Sequence, residues 1–401
     1  GDLNMTERTG KKYGAAVKAA TLCVALLMYT TSMTTPALAE IAKAFPDASG
    51  ETVKLISSIP SLMLCIFSLV SGWMTTKISI KRSILVASAL IFVGVFPAFF
   101  GGMGFIIATR VIFGAGYGLV FPLASAVVTD LFEGSTKDTM MGWKSAVGAA
   151  AGVVFQSLGG ILTAYSWRYA FLGFLLVIPI VLIVLFVLPD TGVKTKVQTA
   201  EKKGDGKKFT SALFICGLVG FLLNAVQFSY MQNMAMFIAA DEIGSALDAA
   251  NVLSTFTAAS FVAGLIYVGF AKIFKKFTPA LAILLVGCAF GIAMNAKSLP
   301  MLFISAVVFG FGFGFTNPSL TLKAASGVTD GAYTPMAISI YVCCTGIGQF
   351  MSAYILRFLR NVSGMTEGRA DWKIACVSII AGAVIGLICL AVFGNKKEAN
   401  V

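Results

Sequence analysis

The sequence predicts an all-α membrane protein with twelve transmembrane helices arranged as two pseudo-symmetric six-helix bundles. Three observations lead to this fold class: the composition, a repeat that relates the two halves, and one polar linker between them. Of the 401 residues, 58% are hydrophobic and 12% are charged, whereas about 25% of a soluble chain is charged. Mean hydropathy is +0.89. A water-exposed fold cannot bury so much apolar surface, so we expect the lipid bilayer to be the solvent.

A repeat of 196 residues relates the two halves of the chain. Arg110–Pro122 reads RVIFGAGYGLVFP and Val307–Pro318 reads VVFGFGFGFTNP, and they align without a gap because 307 − 111 = 318 − 122 = 196. Small residues let membrane helices approach closely, so we expect the repeated glycines to pack helices together. They are Gly114, Gly116 and Gly118 in the first copy and Gly310, Gly312 and Gly314 in the second. Arg110 is not repeated, since position 306 is Ala.

Apolar runs long enough to cross a bilayer follow one another along the whole chain. Helices are expected, since barrel strands would alternate polar and apolar residues. The predicted spans are 19–39, 53–75, 83–101, 105–129, 140–164, 170–188, 209–238, 250–271, 279–297, 300–322, 335–356 and 373–394. The polar, lysine-rich stretch 190–208 is the one linker, which predicts a first bundle over 1–189 and a second over 209–401. SWRYA at 166–170 and DWKIA at 371–375 precede the last span of each half.

Positive charges predict the orientation in the membrane. Lysines and arginines concentrate in the amino-terminal tail, the second-to-third and eighth-to-ninth connections, the linker and the carboxyl-terminal tail, which lie on one side if there are twelve spans. Both termini are therefore expected in the cytoplasm, with the chain as a multi-pass protein of the cell (inner) membrane. One connection resists this assignment, because Arg357, Arg360, Arg369 and Lys373 would then lie outside.

Two six-helix halves and a basic linker resemble the major facilitator superfamily. Arg110–Gly118 is similar to that superfamily's fourth-helix motif, and 72–82, GWMTTKISIKR, is similar to its loop motif between helices two and three. The matching loop residues are Gly72, Lys77, Lys81 and Arg82, whereas Thr76 stands where an aspartate is usual and Ser79 where a glycine is usual. Phe155-Gln156 replaces the Gly-Pro that antiporter members have before the pair Gly159-Gly160.

The resemblance implies a secondary transporter in which two bundles give alternating access to a central cavity lined by helices one, four, seven and ten. Arg110 is the first candidate for substrate binding, because a charge inside a span should face the bundle interior or water. Its alternative is a structural cation that hydrogen-bonds backbone carbonyls. No acid lies inside the predicted spans. A buried cation without a buried acid favours a small organic anion, such as a carboxylate, as substrate.

Further candidate binding residues are polar or aromatic side chains, most of them on the helices that the resemblance places at the cavity. Asn224, Gln227 and Met231 share one helical face. Lys323 could supply a second cation, or could simply reach the membrane interface. For the aromatic residues, packing between helices is the alternative. The other candidates are Tyr29, Thr30, Tyr117, Phe121, Tyr230, Asn317 and Tyr341.

Several function classes are not supported by the sequence. The chain has no GxxxxGK[ST] segment, so a gradient of substrate, counter-solute or protons is expected to drive transport rather than ATP. It has no histidine, and its eight cysteines lie in apolar runs without a CxxC pair. We therefore expect no enzyme activity, no cofactor or metal, no nucleic-acid partner, and a monomer. A proton-coupled exporter of drugs or metabolites, and a transporter-like membrane sensor, are the alternatives.

Overall fold

A computed structural model describes residues 13–192, 210–328, 334–365 and 369–393. Helices make up nearly all of this part of the chain. They are α1 (Ala15–Leu27), α2 (Leu38–Ala44), α3 (Gly50–Met74), α4 (Ile80–Phe92), α5 (Met103–Leu131), α6 (Gly134–Tyr165), α7 (Val177–Val187), α8 (Ser211–Gln227), α9 (Ser229–Ala240), α10 (Ala246–Phe274), α11 (Thr278–Met294), α12 (Leu299–Ala325), α13 (Thr334–Ser363) and α14 (Ala370–Phe393). Most of the predicted linker, 190–208, lies outside the described residues.

The described helices include ten that are long and apolar enough to cross a membrane. One of them runs from Ala246 to Met294 and contains two of the predicted spans. A 3₁₀ turn at Lys275–Phe277 divides it, and Lys275 there has a positive φ of 45°. The all-α membrane fold is thus confirmed, whereas the number of twelve crossings stays a prediction.

The first predicted span, 19–39, is not a continuous α-helix. α1 ends at Leu27, a 3₁₀ segment follows at Thr30–Thr34, and α2 begins at Leu38, just beyond Pro36. The hydroxyl of Thr30 donates to the Leu27 carbonyl at 2.9 Å. Such local bonds compete with the helical pattern, and proline lacks the N–H that would continue it, which explains the break.

The repeated glycines occupy equivalent contacts in the two halves. A Cβ on Gly114 or Gly118 would lie within 3.0 Å of α3, and one on Gly116 would lie 2.5 Å from the Ala87 carbonyl of α4. In the second half, Gly310 and Gly314 face α10 in the same way, and Gly312 faces Val286 of α11. In each half the glycine-rich helix therefore packs against the two long helices that precede it: α5 against α3 and α4, and α12 against α10 and α11.

Two hydrophobic cores accompany this repeat. One contains buried residues between Ala20 and Leu188, and the other contains Ala39 together with residues between Leu213 and Ile379. Two seams join them: α3 packs against α13, and α6 packs against α10. We call the end where α7 finishes and α8 begins the linker end, and the opposite end the far end. Large apolar side chains such as Phe214, Leu218 and Leu222 are exposed on outer faces, as contact with lipid requires.

Candidate functional site

A cavity of about 790 Å³ lies between the two cores. Its wall includes Ser57 of α3 toward the far end, and Leu265 of α10 and Pro318 of α12 toward the linker end. Helices of both halves contribute to it. Aromatic rings form much of the wall: Tyr29, Tyr117, Phe121, Phe228, Phe256, Phe261, Phe309 and Phe313. Such a mixture of rings and a few polar groups is typical of a small-molecule site.

Neutral side chains supply the polar part of the wall. Asn224 Oδ1 accepts hydrogen bonds from Gln227 Nε2 and Gln349 Nε2, both at 3.1 Å. Across the cavity, Gln156 Oε1 accepts from the Thr257 hydroxyl at 2.9 Å. Gln227 Oε1 has no hydrogen-bond partner within the described chain. An unpaired buried acceptor is costly, so this atom is suited to a donor group of a bound solute.

No charged side chain lines this cavity in the part of the chain that the structure describes. A carboxylate or ammonium group bound there would lose its hydration without gaining an ion pair. The cavity is therefore better suited to uncharged solutes that combine hydrogen-bonding groups with an apolar or planar part.

Arg110 does not line the cavity. It is fully buried, and its guanidinium carbon lies 4.7 Å from the Phe113 ring, 5.0 Å from Phe171 and 4.9 Å from Phe174. It shares a helical face with cavity-lining Tyr117, but seven residues of α-helix place it about 10 Å closer to the far end. The Phe113 ring stacks on Tyr117 at 6.2 Å, so an aromatic layer separates the cation from the cavity.

Five predicted binding residues line the cavity in addition to Gln227, and four besides Arg110 lie elsewhere. The five are Tyr29, Tyr117, Phe121, Asn224 and Asn317. Thr30 is buried beside cavity-lining Thr31 and Ser32. The Tyr341 ring packs on Gly220. Lys323 lines a separate pocket of about 220 Å³ with Lys275 at the linker end.

Tyr230 is in the core of the second half, contrary to its predicted place at the cavity. Its hydroxyl is 2.9 Å from the Ser305 hydroxyl, and its ring stacks on Phe309 at 4.0 Å. Cavity-lining Met231 follows it directly, and one residue of α-helix corresponds to a turn of about 100°. Tyr230 therefore lies on a different face of α9 from Met231 and does not point into the cavity.

A family model described as Major Facilitator Superfamily matches residues 20–352. The chain belongs to the Major Facilitator Superfamily. It is therefore a multi-pass membrane transporter of small molecules rather than an enzyme, as the sequence predicted. Among proteins with curated descriptions, none matches this sequence.

Solved structures of transporters share the superfamily fold with this chain. A peptide transporter, POT, in complex with sulfate has a TM-score of 0.77 at 13% identity, covering 98% of this chain and 99% of that chain. The nucleoside transporter NupG has a TM-score of 0.73 at 14% identity, covering 94% and 99%. A bacterial homolog of the human lysosomal transporter Spinster, inward-facing and unoccupied, has a TM-score of 0.67 at 14% identity, covering 95% and 97%.

The superfamily's loop motif contacts the end of the sixth predicted span. Lys81 Nζ donates to the Leu185 carbonyl at 2.7 Å, and Arg82 Nε lies 3.6 Å from Asp190 Oδ2. A hydrogen bond from Ser79 is the main cause that holds the pKa of the Asp190 carboxyl below its ordinary value, aided by the Gly192 N–H and the nearby Arg82 and Lys81 cations. Asp190 thus gives this loop a carboxylate contact although Thr76 stands where an aspartate is usual. Lys77 and Gly72 make no contact that bears on the cavity.

Sequence reasoning missed polar wall residues on α10 and a group of charges at the far end. Thr257 and Ser260 line the cavity, but small hydroxyl residues inside an apolar run gave no separate signal. Lys54 and Asp371 form a buried ion pair at 3.1 Å. A usable signal existed for Lys54, because it is a charged residue inside the predicted span 53–75.

Proposed function

We propose that this superfamily member is a secondary transporter of a small, uncharged, polar solute with a planar or apolar part, working by alternating access. The observation that carries the proposal is the cavity wall of aromatic rings and amides, in which the described residues include no charge. Nucleosides have this chemistry, and NupG, which shares the fold, is a nucleoside transporter. The solute's own gradient, a counter-solute or protons would drive transport.

The organic-anion hypothesis is the second candidate. It depended on Arg110 as an anchor, and the guanidinium lies behind the Phe113 layer rather than at the cavity wall. An anionic substrate would need a rearrangement that brings this cation past the ring. The proton-coupled exporter would need a titratable group at the bound solute, and the described residues that line the cavity include no Asp, Glu or His.

Transport by purified protein in proteoliposomes tests the proposal. We expect uptake of a neutral nucleoside such as uridine, and no saturable uptake of lactate or of the lipophilic cation tetraphenylphosphonium. Saturable lactate uptake without nucleoside uptake would establish the anion hypothesis instead. Proton flux coupled to efflux of the cation would favour the exporter.

A matched pair of asparagine variants locates the binding site. Asn224 Nδ2 donates to the Gly220 carbonyl at 2.9 Å, and Asn295 Nδ2 donates to the Gly291 carbonyl at 2.8 Å, each four residues back. Only Asn224 lines the cavity. Asn224→Ala should raise the apparent KM about fivefold, the effect of losing one hydrogen bond of about 1 kcal/mol. Asn295→Ala should leave it unchanged, and equal effects of both variants would contradict the assigned site.

A further inference from the structure

Five charged residues form an ion cluster at the far end: Glu51, Lys54, Arg357, Arg360 and Asp371. Lys54 Nζ donates to Asp371 Oδ2 at 3.1 Å. Arg360 Nε lies 3.3 Å from Asp371 Oδ1, and Arg360 Nη2 donates to Glu51 Oε1 at 3.2 Å. Arg357 Nη1 lies 3.8 Å from Glu51 Oε2. Asp371 therefore faces cations of two helices, and Glu51 faces two cations of one helix.

The ion cluster joins the two halves of the transporter. Glu51 and Lys54 belong to α3, whereas Arg357 and Arg360 belong to α13 and Asp371 to α14. Two amides of α9 complete the connection. Asn233 Nδ2 donates to Asp371 Oδ2 at 3.0 Å, and Gln232 Nε2 donates to the Lys54 carbonyl at 3.2 Å. The two halves cannot separate at the far end without breaking the bonds that Glu51 and Lys54 make to the second half, whereas the Asn233–Asp371 bond holds Asp371 in place within that half.

Burial makes the central pair unusual. Lys54 is 7% exposed and Asp371 is 3% exposed. Two such charges are held out of water only while each compensates the other, and removal of one leaves the other buried and unpaired. If the far end opened, water would hydrate both. The pair therefore favours the closed far end only when both groups are ionised.

The ion cluster also closes the cavity at this end. Ser57, one turn along α3 from Lys54, lines the cavity, and its hydroxyl donates to the Lys54 carbonyl at 2.9 Å. Gln232, which follows cavity-lining Met231, donates to the Ser57 hydroxyl at 3.4 Å. A solute moving between the cavity and the far side must therefore pass the Lys54–Asp371 pair.

We propose that the ion cluster is a latch that closes the far end of the transport path, with the Lys54–Asp371 pair at its centre. The proposal rests on the alternating access of the proposed function and not on the substrate class. Among the described residues, the charged groups that contact Asp371 are Lys54 from α3 and Arg360 from α13. Removal of the Asp371 carboxylate would leave these two cations without that partner.

Labelling of a cysteine beneath the latch tests the proposal. Ser57→Cys in the otherwise native chain is exposed to a membrane-impermeant maleimide added to intact cells, and the native chain gives the background from its own cysteines. Added Lys54→Gln should raise the labelling rate about tenfold, since it removes the cation that compensates Asp371. Added Lys54→Arg keeps the charge and should label as slowly as the parent, which separates loss of the latch from misfolding.

A surface ion pair on the same end provides the matched control. Lys43 Nζ lies 2.8 Å from Glu40 Oε1 within α2, and Lys43 is 62% exposed at its side chain. Lys43→Gln should not change the labelling rate, because an exposed pair within one half contributes little. The latch is overturned if Lys54→Gln labels at the parent rate, or if Lys43→Gln accelerates labelling equally.

Asp371→Asn should accelerate labelling of the same cysteine as Lys54→Gln does, because it removes the carboxylate that compensates Lys54 and Arg360. Labelling at the parent rate would remove Asp371 from the proposal. Rapid labelling of the parent itself would mean an open far end. None of these readouts depends on whether uridine is transported, so failure of the substrate proposal is recognised separately.

Discussion

The guanidinium of Arg110 is surrounded by the rings of Phe113, Phe171 and Phe174, and its three nitrogens have no hydrogen-bond partner in the described chain. A desolvated cation–π contact contributes about 2 kcal/mol. The effective desolvation penalty of a fully buried cation is itself several kcal/mol. The rings therefore offset much of the cost of burying this charge, without a counter-ion, and leave little net stabilisation from the residue.

Arg110→Met should leave the thermal stability of the purified protein unchanged or raise it by about 1 kcal/mol, because an apolar side chain of similar length replaces an unpaired buried charge. The apparent KM for a transported neutral solute should change by less than about twofold, since the side chain does not reach the cavity wall. Melting curves in detergent and uptake assays measure the two effects.

Arg168 is the control for this substitution. Its guanidinium also lies on an aromatic ring, 4.6 Å from Trp167, but Nη1 donates to the Pro97 carbonyl at 3.3 Å. Arg168→Met should lower stability by about 1 kcal/mol through that lost hydrogen bond. If Arg110→Met lowered the free energy of unfolding by several kcal/mol, as much as Arg168→Met or more, the Arg110 guanidinium would have to make a strongly stabilising interaction. That result would contradict the prediction.

Individual residues show where sequence reasoning about the site succeeded and where it failed. The pattern of Asn224 and Gln227 on one face identified two amides of the cavity wall, because helical periodicity fixes direction within a turn. Arg110 also has the expected direction, yet its depth along α5 puts it beyond the cavity. Depth depends on where the halves separate, which is a tertiary property. Lys54 and Asp371 are 317 residues apart, so no local pattern could pair them.

At the scale of the helix, α5 and α12 pack through their glycines. A Cβ at position 312 would lie 2.7 Å from the backbone nitrogen of Val286, and a Cβ at position 116 would lie 2.5 Å from the Ala87 carbonyl. These neighbours are main-chain atoms of rigid helices and cannot move as a flexible side-chain end could. The close approach is therefore a requirement of both halves.

Gly312→Ala and Gly116→Ala should each destabilise the protein by about 1–3 kcal/mol, the usual effect of overpacking. Gly269→Ala on α10 is the matched control, because nothing lies within 4 Å of a Cβ there. That variant should gain up to about 1 kcal/mol from the higher helix propensity of alanine. Thermal unfolding of the three variants in one detergent compares them, and equal melting temperatures would refute the packing role.

Sequence patterns found the long helices and the boundary near 275–277, but not the break that follows α1. Apolar runs determine which segments enter the bilayer. The break after α1 depends on Pro36 together with hydroxyl side chains that bond their own backbone, and the break at 275–277 depends on a positive φ at Lys275. The two lysines at 275 and 276 interrupt the hydropathy, so the sequence placed that boundary, whereas the break after α1 lies inside one predicted span and hydropathy averages over it.

At the scale of the whole molecule, the arginines that resisted the charge-based orientation are engaged in ion pairs. Arg357 and Arg360 face Glu51, and Arg369 binds the carboxylate of Asp241. Arg369 Nη1 also donates to the Ala293 carbonyl at 2.9 Å. These cations hold helices together at the far end, so their presence there has a structural reason and does not argue against a cytoplasmic linker end.

Reporter fusions should place the linker end in the cytoplasm, because the remaining lysines and arginines are concentrated there. Green fluorescent protein fused at Val401 should fluoresce, and alkaline phosphatase at the same position should be inactive. A fusion of alkaline phosphatase after Gly364, at the far end, should be active and serves as the positive control. The reverse pattern would invert the orientation and place the ion cluster in the cytoplasm.

The cavity wall is divided between the two halves, with Tyr29 and Gln156 on one side and Asn224, Phe309 and Asn317 on the other. A solute bound by both walls bridges the two halves, which must move relative to each other during transport. Its length, more than its volume, then decides whether the halves can draw together around it. Molecules too short to contact both walls would occupy the cavity without bringing the two halves together. The transporter is therefore expected to select solutes by their length, even without a charged residue that binds them.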